Sequence, residues 1–326
     1  MDTRVILDTF LDAGDKPVSG DKLARVLGVS RVSVWARLGQ LRREGFAFDA
    51  APRVGYRLVK WPALPHAALL NTRLRRLGVT APAHCLDHVD STNSEAERRL
   101  GAGEAPPFVV IASEQTSGRG RLGRVWDSRP GGNLYMSFAF RPGIQPERMP
   151  SVTLAVGLRL CARLATRYSI PVQIKWPNDL MCEGRKIAGI LTEARIDADH
   201  VRDLVVGIGL NVNGHIEDFP PELRDIAGSL STALGAPLDI NEVAADCVAT
   251  VLGACEHFFE NGLGDDFHDL WRAHDFLAEK TVTAHGAGAQ ITGVAEGVDV
   301  RGALRVRDAA GYVHLLNAGE VTLRRL

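Results

Sequence analysis

Between Val5 and Leu41 the apolar positions recur at intervals of three and four, the period of a helix buried on one face. Val5, Ile6, Phe10 and Leu11 form a first such set, and Leu23, Val26 and Leu27 a second, closed by Gly28 as a stop. Ser30 stands as a cap before a third run in which Val34, Leu38 and Leu41 share a face. Helix, stop, cap and helix make a helix-turn-helix layout. Its second helix is expected to present Arg31, Ser33, Trp35 and Arg37 outward, residue types that reach phosphates and base edges. The period then shortens. Phe46-Ala47-Phe48 and Tyr56-Arg57-Leu58 flank Pro52-Arg53, which predicts a hairpin and a winged helix with Arg53 near the wing tip. Two prolines within 61–65 interrupt any regular element and close this unit at residue 62.

Beyond the prolines, strand-like runs at 108–112, 133–141, 173–176, 187–194 and 204–212 alternate with helix-like runs at 95–100, 152–168 and 243–259. Tyr135, Ser137 and Ala139 alternate along one strand; Leu154, Leu158, Cys161 and Ala165 stripe one helix. The mixture predicts an α+β or α/β body on a mixed sheet, over 63–276. From 279 onward only short β-like pieces remain, punctuated by Gly286, Gly288, Gly293, Gly297, Gly302, Gly311 and Gly319. They predict a small antiparallel β-barrel over 277–326, docked on the body.

Composition excludes whole classes. A 326-residue chain that is 45% hydrophobic and 24% charged is not disordered along most of its length. A net charge of −1 gives no global pull on nucleic acid or membrane. Residues 1–62, however, hold eleven Lys or Arg against seven Asp or Glu, a local +4 on a body of −5. Charge alone favours a merely solvated face; it is the crowding of basic residues on the second helix and the wing that favours DNA over a protein contact. Five scattered cysteines without CxxC spacing suggest no disulfide framework, no zinc and no haem. With no signal peptide and no membrane-length apolar run, a cytoplasmic setting without membrane contact is expected.

Five clusters carry candidate chemistry. Ser117-Gly118-Arg119-Gly120-Arg121-Leu122-Gly123-Arg124 alternates backbone freedom with planar cations and suits an anion; it is expected to be mobile until one binds. Lys175-Trp176-Pro177-Asn178-Asp179 ends an apolar strand at a sheet mouth, where it serves either a ligand or a structural turn. There Lys175 suits a phosphate, and Asn178 or Asp179 suits Mg2+. Lys186 opens a small apolar strand, so its amine points into a pocket unless it is simply solvated. Gly207 and Gly209, before Asn211, imply close approach by a ligand or another backbone. Asp90-Ser91-Thr92-Asn93-Ser94 caps a helix, and its polar groups are able to hold a polar head group.

In this order the clusters resemble one family over nearly the whole chain: bacterial bifunctional biotin–protein ligases that also repress biotin operon transcription. The resemblance implies a biotin/lipoate-ligase catalytic fold and an SH3-like C-terminal unit. It implies biotin contacts at Ser91, Thr92, Asn93, Gln115, Arg119, Gly120, Arg121 and Lys186, with Lys186, Arg121 and Arg119 as the catalytic cations. ATP and the adenylate fall to Arg121, Arg124, Trp126, Lys175, Asn178, Asp179, Asn211 and Arg324, and Mg2+ to Asp179. The implied partners are a biotin carboxyl carrier domain, operator DNA and a second copy of the chain when adenylate is bound. Strand 204–212 is expected to be the open edge through which that dimer pairs. The rivals are a lipoate-type ligase, a ligase whose winged helix no longer regulates, and a regulator that binds a small anion without turnover. Residues 142–149 and 213–241 carry no motif.

Overall fold

The computed structural model describes residues 2–51, 53–286, 289–317 and 319–323. In the N-terminal unit, α1 (Asp2–Ala13), α2 (Gly20–Leu27) and α3 (Arg31–Arg43) precede an antiparallel hairpin of β1 (Ala47–Ala51) and β2 (Gly55–Lys60). Ser19 and Ser30 cap α2 and α3, each hydroxyl accepting from a first-turn N–H, and Gly28 ends α2 at φ 67° in the left-handed region. Ile6, Leu7, Phe10, Leu23, Val34, Leu38 and Leu41 close on Phe46, Phe48 and Leu58. Arg53 occupies the wing turn, also with φ 67°.

α4 (Ala67–Arg76) serves two cores at once. Leu69 packs into the N-terminal cluster, whereas Leu70 and Leu74 pack into the body. The connection leading to it is held along its length. Wholly buried Asn241 donates to the Pro62 and Leu64 carbonyls (3.3 and 3.1 Å) and accepts from the His66 N–H (2.7 Å). His66 caps α4 through Nδ1 and lies 3.0 Å from the Glu44 carboxylate through Nε2. Arg73 stacks over Trp61, 5.0 Å from the ring centroid, and pairs with Asp239 at 2.5 Å.

The body contains β3 (Ala83–Leu86), α5 (Thr92–Gly101), β4 (Phe108–Ala112), β5 (Leu134–Phe140), α6 (Met149–Tyr168), β6 (Val172–Lys175), β7 (Asp179–Cys182), β8 (Arg185–Asp197) and β9 (His200–Leu210). α7 (Leu230–Leu234), α8 (Ile240–Asn261) and α9 (Phe267–His274) follow. The seven strands run in the order β3-β4-β5-β9-β8-β7-β6, with β3 parallel to β4 and every other pair antiparallel. α5 covers one face, through Ala96 and Leu100 on Phe108, Val110 and Ala139. α6 and α8 cover the other, with Val109, Ile111 and Phe138.

One expectation fails here. The strand read as an open dimer edge is central: β9 pairs with β5 along 204–210 and with β8 along its whole length. Leu204, Val205 and Val206 are apolar because both faces are buried. An apolar run reports burial of side chains and says nothing about whether the backbone edge is free.

β10 (Thr281–Gly286), β11 (Ala289–Val298), β12 (Leu304–Arg307), β13 (Val313–Leu316) and β14 (Glu320–Leu323) form an antiparallel sheet in the order β13-β12-β11-β10-β14. Buried Trp176 joins it to the body, its indole N–H donating to the Gly302 carbonyl at 3.1 Å.

Candidate active site

The floor of the site is made by glycines. Along β8 the period of two puts Gly189, Leu191 and Glu193 on one face, paired with Gly209, Gly207 and Val205 of β9. A Cβ on Gly207 would stand 2.2 Å from Asn93 Oδ1, and one on Gly209 would stand 2.4 Å from Trp126 Cε2 and Nε1. On Gly189 it would stand 2.9 Å from the same indole. The close approach expected at Gly207 and Gly209 is therefore made by two side chains, Asn93 and Trp126, packed against the sheet.

At one end the N-terminus of α5 builds a hydrogen-bonded floor. Ser91 takes the N-cap backbone conformation but makes no side-chain capping bond. Thr92 donates through its N–H and its hydroxyl to Gln115 Oε1 (2.8 and 3.0 Å); Gln115 Nε2 donates to Ser128 Oγ (2.8 Å), and Ser128 to the Trp126 carbonyl (3.0 Å). Fully buried Ser137 lies 2.5 Å from Asn93 Oδ1 and 2.8 Å from Thr92 Oγ1. The Asp90 carboxyl, just outside, accepts from both arms of Arg98 and from the Ser91 N–H, which hold it down at about 2.

At the other end cations gather. In the Gly-Arg loop the Gly120 N–H meets the Arg124 carbonyl (2.7 Å) and the Trp126 N–H meets the Gly118 carbonyl (3.0 Å). Its three arginines reach three different walls. Arg119 pairs with Glu193 at 2.8 Å, Arg121 donates to Asn178 Oδ1 and to the Gly319 carbonyl (3.1 Å each), and Arg124 pairs with Glu320 at 2.6 Å. Lys186 lies 2.7 Å from Asp179 and 5.2 Å from the centre of the Trp126 ring. Burial pulls Arg121 and Lys175 below their ordinary values, with Asp179 opposing it in both. A cation destabilised by burial gains most from an arriving anion. Trp126 Nε1 is buried without a hydrogen-bond partner, a donor that a bound molecule would satisfy.

Ser91, Thr92, Asn93, Gln115, Arg119, Gly120, Arg121, Arg124, Trp126, Lys175, Asn178, Asp179, Lys186 and Asn211 all line one cavity of about 320 Å³. Asn211 is buried and donates to the Gly228 carbonyl at 2.9 Å. Arg324 lies outside the described residues.

One wall of the cavity is marked by no motif in the sequence. Phe219, Leu223 and Ile226 line the cavity, and the Ile226 carbonyl and Gly228 N–H bracket the Lys186 backbone (2.7 and 2.9 Å). Their helical spacing, next to Pro220-Pro221, was the available signal in a stretch that otherwise shows no motif. Glu193, Ser137 and Glu320 carry no motif either: Ser137 is one hydroxyl in an apolar strand, and the two glutamates sit in strands whose polar residues follow no spacing that marks a site.

On the winged helix, Arg31 is exposed and 3.5 Å from Asp21, and Trp35 is 64% exposed. Ser33 and Arg37 are half-buried, the former bonded to its neighbour Ser30, so less of each faces outward than expected. Val32, 76% exposed, joins Trp35 on the outer face.

Comparison with known proteins follows the same three-part division. Residues 3–57 match an HTH domain, 86–211 the Biotin/lipoate A/B protein ligase family, and 279–324 the Biotin protein ligase C terminal domain. The chain is 33% identical to the bifunctional ligase/repressor BirA of Bacillus subtilis, covering 96% of each. It is 31% identical to the bifunctional ligase/repressor BirA of Escherichia coli, over 94% of this chain and 92% of that one. The solved biotin protein ligase from Aquifex aeolicus in complex with biotin and ATP is 30% identical, with a TM-score of 0.64, over 75% of this chain and 99% of that one.

Proposed function

The chain belongs to the biotin–protein ligases that carry a helix-turn-helix, the bifunctional ligase/repressor family, and from that membership we propose how its own residues perform the two activities. The enzyme activates biotin with ATP to biotinyl-5′-AMP, releases pyrophosphate, and transfers biotin to a carrier lysine. The observation that carries this reading is the convergence in one cavity of Lys175, Lys186 and Arg121 with the polar floor at Thr92, Asn93 and Gln115.

The floor groups bind the neutral ring system of biotin, together with Ser91 and Gly120. A biotin carboxylate attacking the α-phosphate of ATP brings two anions together. Lys186, held near Asp179 over the Trp126 ring, screens that encounter and stabilises the charge on the phosphoryl oxygens. Arg121, Lys175, Asn178 and Asn211 line the nucleotide side, with Arg124 beside them; the family resemblance assigns Arg324 to the nucleotide phosphates as well. Trp126, already on the glycine floor, closes the loop over the adenylate and keeps water from its acyl carbon. Arg119, matched by Glu193, anchors the loop more than it screens charge. Asp179 and the neighbouring Asn178 are oxygen donors of the kind that hold Mg2+ alongside substrate phosphates, so this donor set fits the ion; it would neutralise phosphate charge there.

The winged helix binds DNA through Arg31, Ser33, Trp35, Arg37 and Arg53, and so represses biotin synthesis genes. We assign the functional units to 1–62, 63–276 and 277–326 and place the protein in the cytoplasm; no helix among the described residues is long and apolar enough to cross a membrane. Adenylate-bound chains pair as a homodimer through a surface other than β9.

The test is to incubate the protein with ATP, Mg2+ and either biotin or lipoate. Biotin-dependent pyrophosphate release with retained biotinyl-AMP supports the reading. Release driven by lipoate would indicate the lipoate-type activity, and no release would leave a ligand-binding regulator. For the second activity, biotinyl-AMP should tighten both self-association in sedimentation and DNA binding.

A further inference from the structure

Glu193 is a carboxylate in a site whose chemistry already has to bring two anions together. It lies on β8, two residues beyond Leu191 on the face that carries the glycine floor. One of its oxygens, Oε2, accepts from Asn93 Nδ2 at 2.6 Å and from an Arg119 guanidinium nitrogen at 2.8 Å. Asn93 and Arg119 both line the cavity. Glu193 therefore touches the site through them, and Arg119 balances its charge.

The two donors belong to different parts of the machinery. Asn93 is part of the hydrogen-bonded floor at the α5 N-terminus. Its amide has one acceptor end, met by the Ser137 hydroxyl at 2.5 Å, and one donor end, met closely by Glu193 at 2.6 Å and distantly by the Leu191 carbonyl at 3.5 Å. Turning the amide over would set a carbonyl against a carboxylate, so Glu193 fixes which end of Asn93 points where. Arg119 is the first arginine of the Gly-Arg loop, and Glu193 is its nearest anion, with Glu97 4.0 Å away. A single oxygen thus ties the loop to the floor. A displacement of that oxygen perturbs both bonds.

We infer that Glu193 is a positioning residue that couples biotin head-group recognition to closure of the Gly-Arg loop. This rests on the ligase reading above. Coupling through one shared acceptor is reciprocal: a seated loop orients Asn93, and a head group that orders Asn93 seats the loop. Glu193→Gln keeps the shape and removes the charge from both bonds. Loss of a charge-assisted hydrogen bond at each donor predicts about a tenfold rise in KM for biotin and about a tenfold faster escape of preformed biotinyl-AMP. kcat for adenylation should fall by less than KM rises, because Glu193 contacts neither reacting group. Asn93→Ala should raise KM chiefly, and Arg119→Ala should speed escape chiefly. Each combined with Glu193→Gln should give less than the product of the single effects.

The experiment measures these two quantities, with melting temperatures, for wild type, the three single variants and the two doubles. Glu193→Asp, which keeps the charge but shortens the reach, is made alongside and should recover part of both losses. Effects of Glu193→Gln on both KM and escape, each sub-multiplicative with its own partner, sustain the inference. Normal values for Glu193→Gln, a change in only one quantity, full multiplicativity with both partners, or a uniform loss of kcat tracking a lower melting temperature would each overturn it. If wild type makes no biotinyl-AMP, the ligase reading itself fails, and the inference falls with it.

Discussion

Gly209 offers the sharpest test of how the loop is held. Its missing side chain leaves the space in which the Trp126 indole lies, and a methyl there would stand 2.4 Å from Cε2 and Nε1. Carbon atoms in contact sit about 3.5–4.0 Å apart, so in Gly209→Ala the ring must move by more than about 1 Å. Gly189 flanks the same ring, so its displacement lifts the indole off the sheet. An indole buries roughly 150–250 Å²; losing half of that at about 25 cal/mol per Å² costs roughly 2–3 kcal/mol. The Lys186 ammonium over the ring adds about 0.5–1 kcal/mol. Relaxation of the loop recovers part of this. A net loss of about 1.5 kcal/mol corresponds to roughly tenfold faster escape of the adenylate. The assay loads the enzyme with biotin and ATP, removes free ligand and follows release of biotinyl-AMP. Gly209→Ala and Trp126→Ala should release it comparably fast, and the double variant hardly faster than either. Wild-type retention in Gly209→Ala, or fully multiplicative effects in the double, would refute the idea that the glycine exists to seat the tryptophan.

Three further outcomes follow from the same geometry. Arg121→Gly should still form biotinyl-AMP but lose it about ten- to a hundredfold faster, one charge-assisted bond being worth about 1.5–3 kcal/mol, and should then label nearby lysines indiscriminately; unchanged retention would count against it. Lys186→Ala should slow adenylation more than it weakens biotin binding, because the amine acts mainly as charge develops; stopped-flow traces with a normal adenylation rate would return it to a structural role. The Asp90 carboxyl, ordinarily at 3.8, is held at about 2 by Arg98, so its contribution to stability is full above pH 3.8 and lost as the pH falls through 2. Asp90→Asn should therefore flatten acid unfolding over that interval, read by the midpoint of a pH melt; an unchanged profile would show that the exposed pair contributes nothing.

The helix-turn-helix was legible because helical periodicity, the cap at Ser30 and the stop at Gly28 are local signals; the matching cap at Ser19 was not read from the sequence. Most strands of the body were legible too, with ends displaced by a few residues. β3, β7, α4, α7 and α9 were not: β3 and β7 are four-residue strands, α7 and α9 are short, and α4 buries different faces in different cores, which blurs its apolar stripe. The place of β9 was also hidden, since strand order is a property of pairing rather than composition. Within the site, motif residues converged on one cavity, Asp179 beside Lys186 among them, but the anionic partners of Arg119 and Arg124 did not announce themselves. Glu193 and Glu320 are isolated acids, and only the fold brings them to Arg119 and Arg124.

α4 also bears on how the molecule measures DNA. A winged helix on a supple tether samples many orientations, and the separation of two such heads is set by linker length. Here Leu69 is cemented into one core and Leu70 and Leu74 into the other, with Asn241 gripping the connection between them. The recognition helix is thus a rigid outrigger of the catalytic body. In a pair of chains the distance and angle between the two recognition helices would be set by how the bodies meet. The operator would then act as a ruler of body-to-body geometry, and a change at that contact, far from any nucleotide, would be felt as a wrong number of base pairs between half-sites.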